Sequence, residues 1–139
     1  MKKLSIMLLV ALVTGCNKNN NKIIPGGCPL RACTDVFVSV GVNFTDNHGQ
    51  AIAIENLQVK DLRTNLTLTK KVTGIFWTLG YYVIADDSDL KQLTTDGDSI
   101  QVSATDPSTK QTKTVVFKIA GGCNCHVTKV SGPDTIAFD

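Results

Sequence analysis

Val36-Phe37-Val38-Ser39-Val40-Gly41-Val42-Asn43-Phe44-Thr45 is the stretch on which the fold turns. Val36, Val38, Val40, Val42 and Phe44 are apolar at alternate positions, with Ser39, Gly41, Asn43 and Thr45 between them. A period of two describes an extended strand with one buried face, whereas a helix would repeat every 3.6 residues. Asp46-Asn47-His48-Gly49 follows directly and is turn chemistry, so the chain is expected to reverse there.

The same alternation continues downstream. Leu57 and Val59, then Leu66 and Leu68, flank a second turn signal at Arg63-Thr64-Asn65. Ile75 to Ala85 is more apolar and predicts one or two central strands around Gly80. Ile100, Val102 and Ala104 alternate with polar residues, and Val115, Phe117 and Ile119 follow the turn signal Asp106-Pro107-Ser108. The only helical signal is one turn, Ser88 to Leu93, with Ser88 as its N-cap and Asp89 in its first turn. Fifteen Thr after residue 15 add strand preference. About seven short strands without βαβ alternation predict an all-β chain, an antiparallel Ig-like or transthyretin-like β-sandwich with one short helical turn. A small open barrel is the main competitor.

Upstream of this region the sequence changes character. Met1-Lys2-Lys3 is a positive n-region, and Leu4 to Val13 is an apolar run interrupted only by Ser5. Such a run is too short for a membrane-spanning helix of about 20 residues but suits a signal peptide. It ends in Val13-Thr14-Gly15-Cys16, which resembles the lipobox of bacterial lipoproteins. That resemblance implies a signal peptide over residues 1–15, lipid attachment at Cys16, and a membrane anchor of several acyl chains at ~0.8 kcal/mol per buried CH₂. Residues 17–22 are Asn and Lys only and read as a tether, so residues 16–27 are expected to form a lipidated linker before a domain over residues 28–139. Asn17 stands where inner-membrane lipoproteins commonly carry Asp, which implies outer-membrane delivery. The Asn-rich tether is similar to those of Bacteroidetes-type lipoproteins.

Charge narrows the partners. The chain has 14 Lys and Arg against 12 Asp and Glu, and the surplus of two is Lys2 and Lys3 in the leader. A domain with no net positive charge lacks the footprint of a nucleic-acid binder.

Phe44 to Ile52, the strand through Leu57 and Val59, and Gly80-Tyr81-Tyr82-Val83 together resemble the carboxypeptidase-regulatory-like domain, a transthyretin-like sandwich. Cys123-Asn124-Cys125-His126 followed by Ser131-Gly132-Pro133 resembles the C-terminal ends of small Bacteroidetes lipoproteins. These resemblances imply a non-catalytic accessory module without a cofactor.

Of the five cysteines, Cys28, Cys33, Cys123 and Cys125 remain beside the lipidation candidate. An even number in a signal-bearing chain reads as disulfides. A direct Cys123–Cys125 bridge would be strained if the two lay on one strand face, so long-range bridges from Cys28 and Cys33 to Cys123 and Cys125 are expected, in either cross-pairing. A Cys33–Cys123 bridge would close a loop of about 90 residues, worth on the order of 4–5 kcal/mol in the chain-entropy model. Such bridges are expected to clamp the first strand to the last. The competing chemistry is a metal site built from these four thiolates and His126.

Three further groups are candidate sites. Asp86, Asp87 and Asp89, with Asp96 and Asp98, carry oxygen ligands of the kind Ca²⁺ takes, although without EF-hand spacing, and read more simply as loop and cap residues. Phe76, Trp77, Tyr81 and Tyr82 are half of the chain's eight aromatics, and in strands each dipeptide sends one ring inward and one outward. An outward ring suits stacking on a sugar or on a partner protein. His48 is a turn residue, and neither histidine lies in a nucleophile or metallohydrolase motif. The reading is a lipid-anchored, disulfide-stapled envelope module for protein or glycan binding or a structural role, not an enzyme. Its alternative is a metal-binding protein using the Cys/His cluster.

Overall fold

A computed structural model describes residues 27–68 and 79–139. Arg31–Asp139 forms one compact unit and contains every described strand. Cys16, the leader and tether, and Phe76 and Trp77 lie outside the described residues.

The described residues form an all-β sandwich of seven strands in two separate sheets, which settles the competition with a barrel. Strands β1 (Ser39–Thr45), β3 (Tyr81–Asp86) and β7 (Thr135–Ala137) form one sheet in the order β3-β1-β7. Strands β2 (Glu55–Asp61), β4 (Asp98–Thr105), β5 (Thr112–Ala120) and β6 (Thr128–Ser131) form the other in sequence order. Every pair is antiparallel except β1 with β7, which run parallel, so the antiparallel expectation needs that correction.

The periodicity that predicted β1 places its side chains as expected from residue 40 onward. Val40, Val42 and Phe44 are buried and face Val59, Ile100, Val102, Ala104, Phe117 and Ile119 of the opposite sheet across one core. Ile136 and Phe138 close it from the C-terminal end. The alternation does not extend to Val36 and Phe37, which are 64% and 68% exposed and precede the strand. On β3 the pairing shifts from Val40↔Ala85 to Gly41↔Val83, leaving Ile84 as an extra residue. This bulge lets the consecutive Ile84 and Ala85 both be buried, which strict alternation forbids.

Aspartates at strand ends organise the turns. Asp46 accepts the amides of His48 and Gln50 at 2.9 and 2.8 Å, and Asp106 accepts the amide and hydroxyl of Ser108 at 2.8 and 2.7 Å. The expected turns at 46–49 and 106–108 are therefore present, each built as a carboxylate cradling the next backbone donors. In the turn at 63–65, Asp61 accepts the Arg63 amide, while Asn65 takes a positive φ of 62°. Leu68 is buried beyond that turn, while Leu66, whose carbonyl accepts the Asp61 amide, is 59% exposed.

The helical turn is a 3₁₀ segment, Asp87–Gln92. Its cap is Asp86, not Ser88: the Asp86 side chain accepts from the Ser88 amide, and Asp89 reaches back to the Asp86 amide at 3.0 Å. This reciprocal pair shifts the start by two residues relative to the sequence expectation. Residues 123–126 are turn and bend, not strand, so Cys123 and Cys125 do not share a sheet face.

Candidate functional site

Two places bring the sequence candidates together. The first is the outer face of the three-stranded sheet. Tyr82 pairs with Val42 and points inward, its ring 5.5 Å from Phe44 in an edge-on contact, and its hydroxyl accepts the Ile54 amide at 3.0 Å. Tyr81, one residue earlier, must face the other way. It pairs with Asn43, and Asn43 in turn pairs with Thr135 on β7. Tyr81, Asn43 and Thr135 therefore form one row across all three strands, about 10 Å long at the usual strand spacing.

The position of the Tyr81 ring follows from the absence of a side chain at Gly41. A Cβ there would overlap Tyr81 Cζ and Oη and stand 2.8 Å from Cε1, so the ring lies on bare backbone. One face of the ring is fixed, and Tyr81 is only half-buried. An aromatic plane, an amide and a hydroxyl in line offer stacking at one end and hydrogen bonding at the other. Of the four aromatics picked out in the sequence, Tyr81 occupies this surface and Tyr82 the core. Gly41, Asn43 and Thr135 were not singled out. The outward positions of the β1 alternation carry the signal for the first two.

The second place is the corner where the chain enters β1. Cys28, Cys33, Cys123 and Cys125 are all in disulfide linkage, and Cys33 is joined to Cys125 across 92 residues with Cα atoms 5.3 Å apart. The bridge ties the segment before β1 to the loop between β5 and β6. It does not clamp the first strand to the last; those are joined by their own parallel hydrogen bonds.

The residues that follow Cys33 and Cys125, Thr34 and His126, are also paired. Thr34 Oγ1 lies 2.8 Å from His126 Nε2, and His126 Nδ1 lies 2.8 Å from Asp87 Oδ2. Asp87 also accepts the amides of Val38 and Val127, each at 2.9 Å. Burial pushes the Asp87 carboxyl up, but those two amides and His126 outweigh it and hold the group below the ordinary carboxylate range. Sequence reading missed this relay because nothing local connects residues 34, 87 and 126. The only available signal is that Thr34 and His126 each follow one half of a disulfide.

The acidic candidates are dispersed by their hydrogen bonds. Asp86 and Asp89 make the capping box, Asp87 serves the relay, and Asp96 is exposed. Asp98 is buried on β4, where it takes Nε of Arg63 at 2.8 Å and Nη2 at 3.0 Å, plus the amide and hydroxyl of Thr94. The Arg63 guanidinium, opposed by burial and helped by Thr94, keeps Asp98 below the ordinary carboxylate range. Among the described residues no group of three His, Cys, Asp or Glu side chains has the geometry to hold a metal ion. With the four sulfurs in disulfides, the thiolates of the proposed Cys/His metal cluster exist only after reduction.

Comparison with protein-family models, with curated proteins and with solved structures gives no match for this chain.

Proposed function

We propose that this chain is a lipid-anchored, non-catalytic binding module of the bacterial cell envelope, held at the outer membrane through Cys16. Its binding surface is the row Tyr81–Asn43–Thr135. The lipobox-like end of the leader supports the anchor, and the row is the observation that carries the binding assignment. A ring preset on Gly41, beside an amide and a hydroxyl at strand spacing, fits the alternating apolar face and hydroxyl edge of a sugar ring. A flat protein partner is the second occupant that such a face admits. Tethering through a flexible linker would raise the effective concentration of a rigid domain close to the membrane.

Titration of the purified protein with a panel of hexose and N-acetylhexosamine oligosaccharides tests the assignment. Saturable binding that is lost in Asn43→Ala and Tyr81→Ala, with thermal unfolding retained, is the expected result. Binding that survives both substitutions removes the row from the site. The anchor is tested separately by metabolic labelling with palmitate, expected in the natural chain and absent in Cys16→Ser. Release of the protein from membranes by high salt alone would overturn the anchor.

A further inference from the structure

Every residue from Arg31 to Phe37 is exposed, and none contributes to the core. This segment is held to the sandwich at Cys33, through the disulfide to Cys125, at Ala32, whose carbonyl oxygen lies 3.9 Å from Cys125 Sγ, and at Thr34, through the hydrogen bond to His126; Cys28, three residues before it, is in disulfide linkage as well. From Arg31 onward, Val38 is the first residue to pack against the core, and its amide donates to Asp87. The attachment of seven consecutive residues thus depends on sulfur chemistry and one imidazole, not on burial.

We infer that residues 31–37 are a redox-governed arm. Oxidised, the arm is docked on the loop between β5 and β6; reduced, it is released while the sandwich stays folded. With both disulfides reduced, the Thr34–His126 hydrogen bond and a weak sulfur contact to the Ala32 carbonyl must oppose the entropy of seven residues, and they are too weak to do so. The core survives because its buried side chains all lie at or beyond residue 40.

The reaction is thiol–disulfide exchange with a dithiol reductant. One reductant thiolate attacks a sulfur of the Cys33–Cys125 pair, forming a mixed disulfide and expelling the other cysteine as thiolate. The second reductant thiolate resolves the mixed disulfide, leaving two cysteine thiols and an oxidised dithiol, a transfer of two electrons and two protons. Cys33 sits on the exposed segment, so an attacking thiolate can reach it.

The order Thr34–His126–Asp87 is that of nucleophile, base and orienting carboxylate in hydrolases. Here, however, the carboxylate also accepts amides from Val38 and Val127, the two chain segments that the relay joins. That arrangement serves a tie. Release, with the Cys28 disulfide reduced as well, would add up to about 25 Å of reach, at ~3.3–3.6 Å per extended residue. If the Cys16 anchor holds, the sandwich would gain that distance from the membrane, but the test below does not depend on the anchor.

Backbone ¹⁵N relaxation of the full chain in detergent, oxidised and after complete reduction with dithiothreitol, reads the arm directly. Order parameters at residues 31–37 are expected to fall from ~0.85 to below ~0.6, while Val42 and Val102 stay near ~0.85. Cys33→Ser with Cys125→Ser, in which Cys28 keeps its own disulfide, is expected to show the loss at residues 33–37, the part of the arm furthest from Cys28. Retained order in the reduced protein or in the double variant overturns the inference, and so does loss of order throughout the strands. Hydrolysis of p-nitrophenyl acetate that disappears in Thr34→Ala would also overturn it, by making the relay catalytic.

Discussion

The ring of Tyr81 lies on the backbone of Gly41, in the space that any other residue at 41 would fill with its own Cβ. Position 41 faces outward, and the overlapping atoms are the far end of a side chain that can swing into solvent. Gly41→Ala should therefore cost the fold little. The lost packing of the ring is offset by the 0.5–1 kcal/mol that Ala ordinarily gains over Gly inside a strand, so a net change within about 1 kcal/mol is expected. The platform, by contrast, should be lost. Thermal unfolding together with NOEs from the Tyr81 ring protons to residue 41 would check this: a near-natural melting temperature, with those contacts gone and sugar binding weakened at least tenfold.

Asp87 links the 3₁₀ turn to the start of β1 and to the segment before β6, through Val38 and Val127. Its carboxyl is held below the ordinary range when folded, so the folded protein loses its proton more readily than the unfolded chain does. The stability this contributes is complete above the unfolded carboxylate pKa of about 4 and disappears as pH falls through the lower, folded value. Asp87→Asn should cost about 1.5–3 kcal/mol at pH 7, the range for hydrogen bonds to a charged group. Below pH 3 the difference from the natural chain should shrink, as urea unfolding across pH 2–7 would show.

Much of this was legible in the sequence, and the parts that were not share a cause. Val40, Val42 and Phe44, like Ile100, Val102 and Ala104, declare their buried face because a strand repeats every two residues and the polar partners between them are unmistakable. The parallel pairing of β1 with β7 carries no such signal, since it joins residues more than 90 positions apart through backbone alone. The cap at Asp86 was misplaced because Ser88 and Asp86 are equally good capping residues. What decides between them is that Asp89 stands three residues after Asp86 and can return the hydrogen bond. At the candidate sites, Tyr81 was visible as one ring of a dipeptide, but its bed on Gly41 required knowing the register. The relay of Thr34, His126 and Asp87 required knowing which cysteine bridges which.

Arg63 and Asp98 form a two-pronged ion pair at the foot of β4, with Asp61 also buried beside them. Asp98 carries the charge into the interior, where Thr94 supplies its remaining donors. Asp98→Asn should lower stability at pH 7 by about 1.5–3 kcal/mol, because it replaces charge-assisted bonds with neutral ones and points an amide nitrogen toward the Arg63 donors. The sign with pH matches that of Asp87, since the folded Asp98 is also held low: the contribution is present above about pH 4 and is lost on acidification. Arg63→Lys should fail to substitute, because an ammonium cannot reproduce the planar fork that grips both carboxylate oxygens. Equilibrium unfolding of the two variants and the natural chain at pH 7 and at pH 3 would show all three converging at the lower pH.

Gly132 tests the opposite case from Gly41. It sits between β6 of one sheet and β7 of the other, at the corner where the chain changes sheets, with φ of 127°. That value lies in the region that residues with a Cβ rarely adopt, so any substitution starts with backbone strain of about 1–3 kcal/mol. The Cβ of an alanine would also overlap Cδ1 of Phe117 and stand 2.9 Å from its Cγ. Unlike Tyr81, Phe117 is only 1% exposed and is packed within the core, so its ring has nowhere to go. Overpacking adds about 1–3 kcal/mol, and the two costs act on the same residue. Gly132→Ala should therefore destabilise by about 2–6 kcal/mol, where Gly41→Ala changes little. Urea denaturation of the two variants side by side would separate them. Equal midpoints would mean that the corner relaxes as easily as the exposed face and that Gly132 is not fixed by Phe117.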